Sequence, residues 1–149
     1  GQKTYNGVTT ISKVAPKESI KLINNKEQDQ KRFLLTRYGN NLSVLNLYVV
    51  NGQEVGSEKF KYKLSWLENI KTHIKNDLDK TKYYIILGDF NIAPGDDDVY
   101  DPDVWKDKIL CSKEERSSLS GPDGIVRPFP IHCFSLKQTI DKFLFIEKS

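Results

Sequence analysis

The run Tyr83-Tyr84-Ile85-Ile86-Leu87, followed at once by Gly88-Asp89-Phe90-Asn91, constrains this chain more than any other stretch. An apolar run of aromatic and β-branched residues predicts a strand, and Gly88 closes it. Asp89 and Asn91 then stand at i and i+2, so they share a face wherever extended geometry persists. A carboxylate and a carboxamide converging at a strand's carboxyl end suit a hard cation, a phosphate and an attacking water. Gly, Asp and Asn are equally the residues of an ordinary strand-ending turn, so the pattern alone leaves both readings open.

Around this run the periodicity is clear. Ser57 to Lys80 predicts a helix, with Phe60, Leu64, Leu67, Ile70, Ile74 and Leu78 at helical spacing. Lys59, Lys61, Lys63, Glu68, Lys71 and Lys75 fill its polar positions, and Ser57 is placed to cap it. Lys31 to Tyr38 and Leu42 to Val49 predict two strands joined through Gly39-Asn40-Asn41 as a hairpin. Apolar residues on both faces of the second strand place it centrally in a sheet. Gly7 to Ser12 is rich in β-branched residues and predicts a further strand. Ser112 before Glu114 and Glu115 predicts a short helix over Lys113 to Leu119. From residue 120 onward no period is evident, and Phe143-Leu144-Phe145-Ile146 stands as an isolated apolar patch.

The chain has 149 residues, room for one domain with a core but not comfortably for two. No apolar run approaches the ~18 residues of a membrane span. The formal net charge of +3 permits contact with a polyanion without demanding it. Lysine supplies most of the positive charge, with Arg32, Arg37, Arg116 and Arg127 as exceptions, which reads as coding bias. Cys111 and Cys133 lack metal-ligand spacing and fit reduced thiols in a cytoplasmic protein. The absence of any Met predicts that this is a piece of a longer product.

The acids Asp96, Asp97, Asp98, Asp101 and Asp103 do not form a calcium loop. Counting from Asp89, the fifth place is Ala93, the sixth Pro94 and the twelfth Tyr100, where such a loop needs a ligand, a Gly and a Glu. They read as a solvated loop. Tyr48 closes a buried strand ahead of Asn51-Gly52. It is either a core-edge tyrosine with a satisfied hydroxyl or a donor to a phosphate oxygen.

Several blocks together resemble one family. They are Ser57-Glu58-Lys59-Phe60-Lys61-Tyr62-Lys63-Leu64-Ser65-Trp66-Leu67; Gly88-Asp89-Phe90-Asn91-Ile92-Ala93-Pro94; Asp98-Val99-Tyr100-Asp101-Pro102 with Trp105; and Leu110-Cys111-Ser112 with Glu115-Arg116. In this order they resemble exodeoxyribonuclease III, the bacterial branch of the exonuclease/endonuclease/phosphatase superfamily. Gln2 to Val8 is similar to its substrate-facing loop and following strand. The resemblance covers residues 1–119, a central part of such a domain, and leaves 120–149 as a divergent tail.

What the resemblance implies is a partial DNase I-like four-layer α/β sandwich, with a mixed, mostly antiparallel sheet and covering helices. It also implies a phosphodiesterase dependent on Mg2+ (or Mn2+) that cuts double-stranded DNA at abasic sites and trims 3′ ends. By motif, Asp89 would orient or deprotonate the attacking water and Asn91 would hold phosphate. Both would shape the metal site. Tyr48 would stabilise charge on the phosphoryl oxygens, and Asn51 would sit near the DNA backbone. Val50 stands where the family usually has Pro. The family's amino-terminal Asn and Glu are not found, nor is its Ser-Asp-His ending, and His132 does not fit that motif.

The expectation is therefore a truncated nuclease, inactive alone, with an inner sheet face lacking its opposite wall and a tendency to aggregate. The alternatives are a non-catalytic DNA-binding module or one complementing a separately encoded fragment, and a different superfamily phosphodiesterase.

Overall fold

The computed structural model describes residues 6–21, 30–121, 124–125, 131–135 and 141–147, the last two segments through their backbone. The elements are β1 (Glu18–Ile20), β2 (Phe33–Tyr38), β3 (Leu42–Tyr48), α1 (Glu58–Asp77), β4 (Tyr83–Asp89), α2 (Pro102–Trp105), α3 (Lys113–Ser120), β5 (Ile131–Ser135) and β6 (Asp141–Glu147). Short 3-10 turns occupy Leu78–Lys80 and Asp96–Asp98. The strands form one sheet in the order β1-β2-β3-β4-β6-β5. Only the β3–β4 pair is parallel, so the expected mixed, mostly antiparallel sheet is what forms.

The hairpin and the helix arise as their residues dictate. Gly39, at φ +68°, makes the reversal between β2 and β3 without a Cβ penalty. Ser57 accepts a hydrogen bond from the Phe60 amide at 3.1 Å and starts α1. Antiparallel β2 and β3 need only a turn, whereas parallel β3 and β4 require a crossover, which α1 supplies. Its buried Trp66, Leu67, Ile70 and Ile74 cover one sheet face, meeting Leu35, Leu45, Leu47, Tyr84 and Ile86 in a single core. The alternate residues Leu34, Ile85 and Leu87 on the opposite face are half-buried.

Three expectations change. Gly7 to Ser12 is not a strand: Ile11 is 94% exposed, and the edge of β2 is filled by β1 instead. β-branched residues favour a strand only where a neighbour offers a ladder and a surface to pack on. Lys63 is not on the solvent face of α1 but fully buried, for reasons given below. The apolar patch at Phe143–Ile146 is not isolated, since β6 runs antiparallel to β4 along its whole length. Among the described residues, no helix is long and apolar enough to cross a membrane.

Candidate active site

The site stands at the carboxyl ends of the parallel pair. Tyr48 and Asp89 are Cα partners in the β3–β4 register. Neighbours in register share a face of the sheet, so both side chains leave the face opposite α1. The ladder continues past Tyr48, because the Val49 amide donates to the Asp89 carbonyl at 2.8 Å.

Asn91 joins them by a route the strand pattern does not predict. Its φ is +47°, so extended geometry stops before it. Instead the Asn91 amide donates to Asp89 Oδ1 at 2.9 Å, the local bond by which an Asp side chain builds a turn. Asn91 Nδ2 donates to the Val49 carbonyl at 2.9 Å, which ties the loop back to the end of β3. Gly88-Asp89-Phe90-Asn91 thus forms a strand-ending turn, and that turn holds Asp89 and Asn91 together at the end of β3. Asn51 is exposed beyond β3, where its Oδ1 accepts from the Gln53 amide at 2.9 Å. His132 lies in β5, opposite Phe145 in the register. Residues 2–5 of the expected substrate-facing loop lie outside the described residues.

Beneath the loop sits a buried charged support. Lys63 Nζ donates to the Asn91 carbonyl at 2.5 Å and pairs with Glu115, both side chains fully buried. Glu115 also accepts from the Ser112 amide at 3.3 Å, while its own amide donates to Ser112 Oγ at 3.2 Å, the capping box of α3. Burial pulls the Lys63 ammonium below its ordinary value, and Glu115 and Asp89 oppose that pull. Periodicity could not reveal this, because Lys63 occupies a position a long polar side chain can fill either way.

Two further residues join the row that sequence reasoning missed. The Arg32 guanidinium lies over the Tyr48 ring, 4.5 Å from its centre, and donates to the Tyr48 carbonyl at 3.3 Å. Burial lowers the Arg32 pKa, while the Tyr48 phenol, Tyr62 and the Asp89 carboxylate raise it. On the other side, Asp141 opens β6 as the Cα partner of Asp89. Its only signal in the sequence is an acid two places before the apolar run Phe143–Ile146, the mirror of Asp89, which stands two places after Leu87.

Asp89 and Asn91 offer oxygen donors, the chemistry a hard ion takes. Among the described residues no three His, Cys, Asp or Glu side chains gather to hold a metal. The carboxylates of Asp96, Asp97 and Asp98 are exposed, Asp96 pairing with Arg116 at 2.8 Å.

The fold class so assembled is that of the DNase I-like nucleases and phosphatases. The chain aligns with the 3′ phosphatase NExo from Neisseria bound to product DNA hairpin, at TM-score 0.73 and 26% identity over 89% of this chain and 59% of that one. It aligns with the 3′-5′ exonuclease NExo of Neisseria meningitidis at TM-score 0.68 and 27% identity, over 88% and 59%. An AP endonuclease from Archaeoglobus fulgidus shares the fold at TM-score 0.68 and 22% identity, over 88% and 58%.

In sequence the chain is 29% identical over 119 residues to the exodeoxyribonuclease of Bacillus subtilis, covering 80% of this chain and 46% of that protein. It is 31% identical over 105 residues to exodeoxyribonuclease III of Haemophilus influenzae, covering 66% and 39%. No protein-family model matches. The chain therefore spans less than half the length of these curated relatives. By sequence and fold alike, the chain is similar to exodeoxyribonuclease III-type proteins of the exonuclease/endonuclease/phosphatase family.

Proposed function

We propose that this chain carries the phosphate-gripping centre of a magnesium-dependent DNA phosphodiesterase of exodeoxyribonuclease III type. The observation that carries the reading is the β3–β4 register, which sets Tyr48 beside Asp89 while Asn91 is bonded back to both strand ends. In this reading Tyr48 donates to a non-bridging phosphate oxygen and Asn91 holds the same phosphate. Asp89 orients the attacking water and accepts its proton, and Asn51 meets the DNA backbone nearby. Phosphoryl transfer asks mainly for alignment and for donors around the developing charge, which suits this residue set. A bound Mg2+ would supply Lewis-acid stabilisation of the phosphate, with Asp89 and Asn91 among its oxygen partners.

Asp89 and Asn91 alone provide one carboxylate and one carboxamide for that ion, a thin set for near-octahedral coordination, even with Asp141 beside Asp89 in register. We therefore read the chain as a DNA-binding but catalytically weak unit, whose turnover requires donors from beyond the described residues. A separately encoded fragment is one source of such donors. The test pairs two measurements on the purified chain with a duplex carrying one abasic site. Anisotropy should show binding that Tyr48→Phe and Asn91→Ala each weaken roughly tenfold, the loss of one or two hydrogen bonds to a charged group. Cleavage with Mg2+ should be negligible. Equal binding by the variants sinks the site assignment, and robust cleavage abolished by Asp89→Ala sinks the claim of weak catalysis.

A further inference from the structure

Arg32, Tyr48 and Asp89 form one row across three neighbouring strands. The Tyr48 amide donates to the Arg32 carbonyl at 2.9 Å, which extends the β2–β3 ladder by one residue and fixes where Arg32 departs. The guanidinium is held on two further sides. Its Nε donates to the Gln30 side chain, and its Nη1 reaches the Tyr48 carbonyl at 3.3 Å. With the ring centre 4.5 Å away, the cation covers the face of the phenol.

We propose that Arg32 is a positioning residue for Tyr48, clamping the ring so that its hydroxyl is aimed at the phosphate beside Asp89. A phenol at the end of a half-buried strand has two rotatable angles to lose on binding phosphate. A guanidinium over its face, anchored to the Gln30 side chain and to the Tyr48 carbonyl, removes that freedom beforehand. Arg suits this task better than Lys, because its planar fork can lie over a ring and still donate hydrogen bonds from its own edges. The cation also lies within electrostatic reach of Asp89, so it lowers the repulsion an incoming phosphate meets there.

The inference rests on the reading of Tyr48 as a phosphate donor, and the experiment separates the two. DNA affinity of the full chain is measured by anisotropy on a short duplex for wild type, Arg32→Gln, Tyr48→Phe and the double variant, across a salt series. Arg32→Lys serves as the conservative variant, and each protein's melting temperature checks that it folds. If Arg32 acts through the phenol, Arg32→Gln weakens binding roughly tenfold in wild type and less than about twofold in Tyr48→Phe. The salt slope stays unchanged, and Arg32→Lys recovers only part of the loss. Equal losses in both backgrounds, with a salt slope lower by about one, make Arg32 a direct phosphate contact and overturn the inference alone. Tyr48→Phe binding as tightly as wild type overturns both it and the reading beneath it.

Discussion

Gly88 lies opposite Leu47 in the parallel register, one residue before the Tyr48–Asp89 pair, and a Cβ at Gly88 would fall 1.9 Å from the Leu47 carbonyl oxygen. Its φ of +130° is also one that residues with a side chain rarely adopt. Both constraints bear on the same bond that aligns phenol and carboxylate. Gly88→Ala should therefore cost roughly 3 kcal/mol or more, since strain and displaced backbone add. Urea denaturation checks the stability. Any folded fraction should bind DNA more weakly than wild type, because the strands must part where the site begins.

The Lys63–Glu115 pair yields a second prediction. Removing one partner leaves a fully buried charge without its counterion, which typically costs ~3–5 kcal/mol. Lys63→Met should show that loss in denaturant melts and also release the Asn91 carbonyl it holds. Lys63→Met combined with Glu115→Met should recover part of the stability, because no lone charge remains. A double variant less stable than either single one would contradict the pairing.

Acid sensitivity should centre on His73. Burial holds its pKa below the ordinary value, Asp77 opposes, and Lys80 and Arg37 add to the lowering. Its ring meets Phe33 edge-on at 4.9 Å. A depressed imidazole takes up a proton on unfolding, so its stabilising share is present above the unfolded value of about 6.5. That share is lost as the pH falls through this value toward the folded pKa. The melting temperature should drop between about pH 7.5 and 5.5. His73→Asn should flatten this limb, and an identical acid slope in that variant would remove His73 as the cause.

Much of this architecture is legible in the residues, and the failures have physical causes. The hairpin at Gly39, the cap at Ser57 and the box at Ser112 and Glu115 are local, so short stretches declare them. The strand opening at Tyr83 is equally plain, although it runs through Gly88 to Asp89, two residues past the end its apolar run suggests. What local pattern could not supply is anything set by pairing at a distance. Whether Gly7 to Ser12 is a strand depends on which segment takes the edge of β2. Asp141 meets Asp89 only because β6 inserts next to β4. Arg32 carries no signal of its own until the entry to β2 lays it over Tyr48. At Asn91 the pattern expected a place beside Asp89 through shared strand geometry. A left-handed turn brings it there, in place of strand alternation.

The carboxylate of Asp89 should oppose DNA binding when no divalent ion is present. It stands beside Tyr48, where the phosphate is proposed to sit, and two like charges about 5 Å apart repel by about 1 kcal/mol even when fully screened by water. Asp89→Asn keeps the shape and the acceptor for the Asn91 amide while removing the charge. In chelator, this variant should bind an abasic duplex roughly fivefold more tightly than wild type. Adding magnesium should reverse the order, because wild type gains a cation bridging acid and phosphate, whereas the amide holds such an ion poorly. Titrating both proteins with DNA in chelator and in magnesium checks the crossing. If both variants respond to magnesium alike, Asp89 is not among the ion's partners, and its role narrows to handling the attacking water.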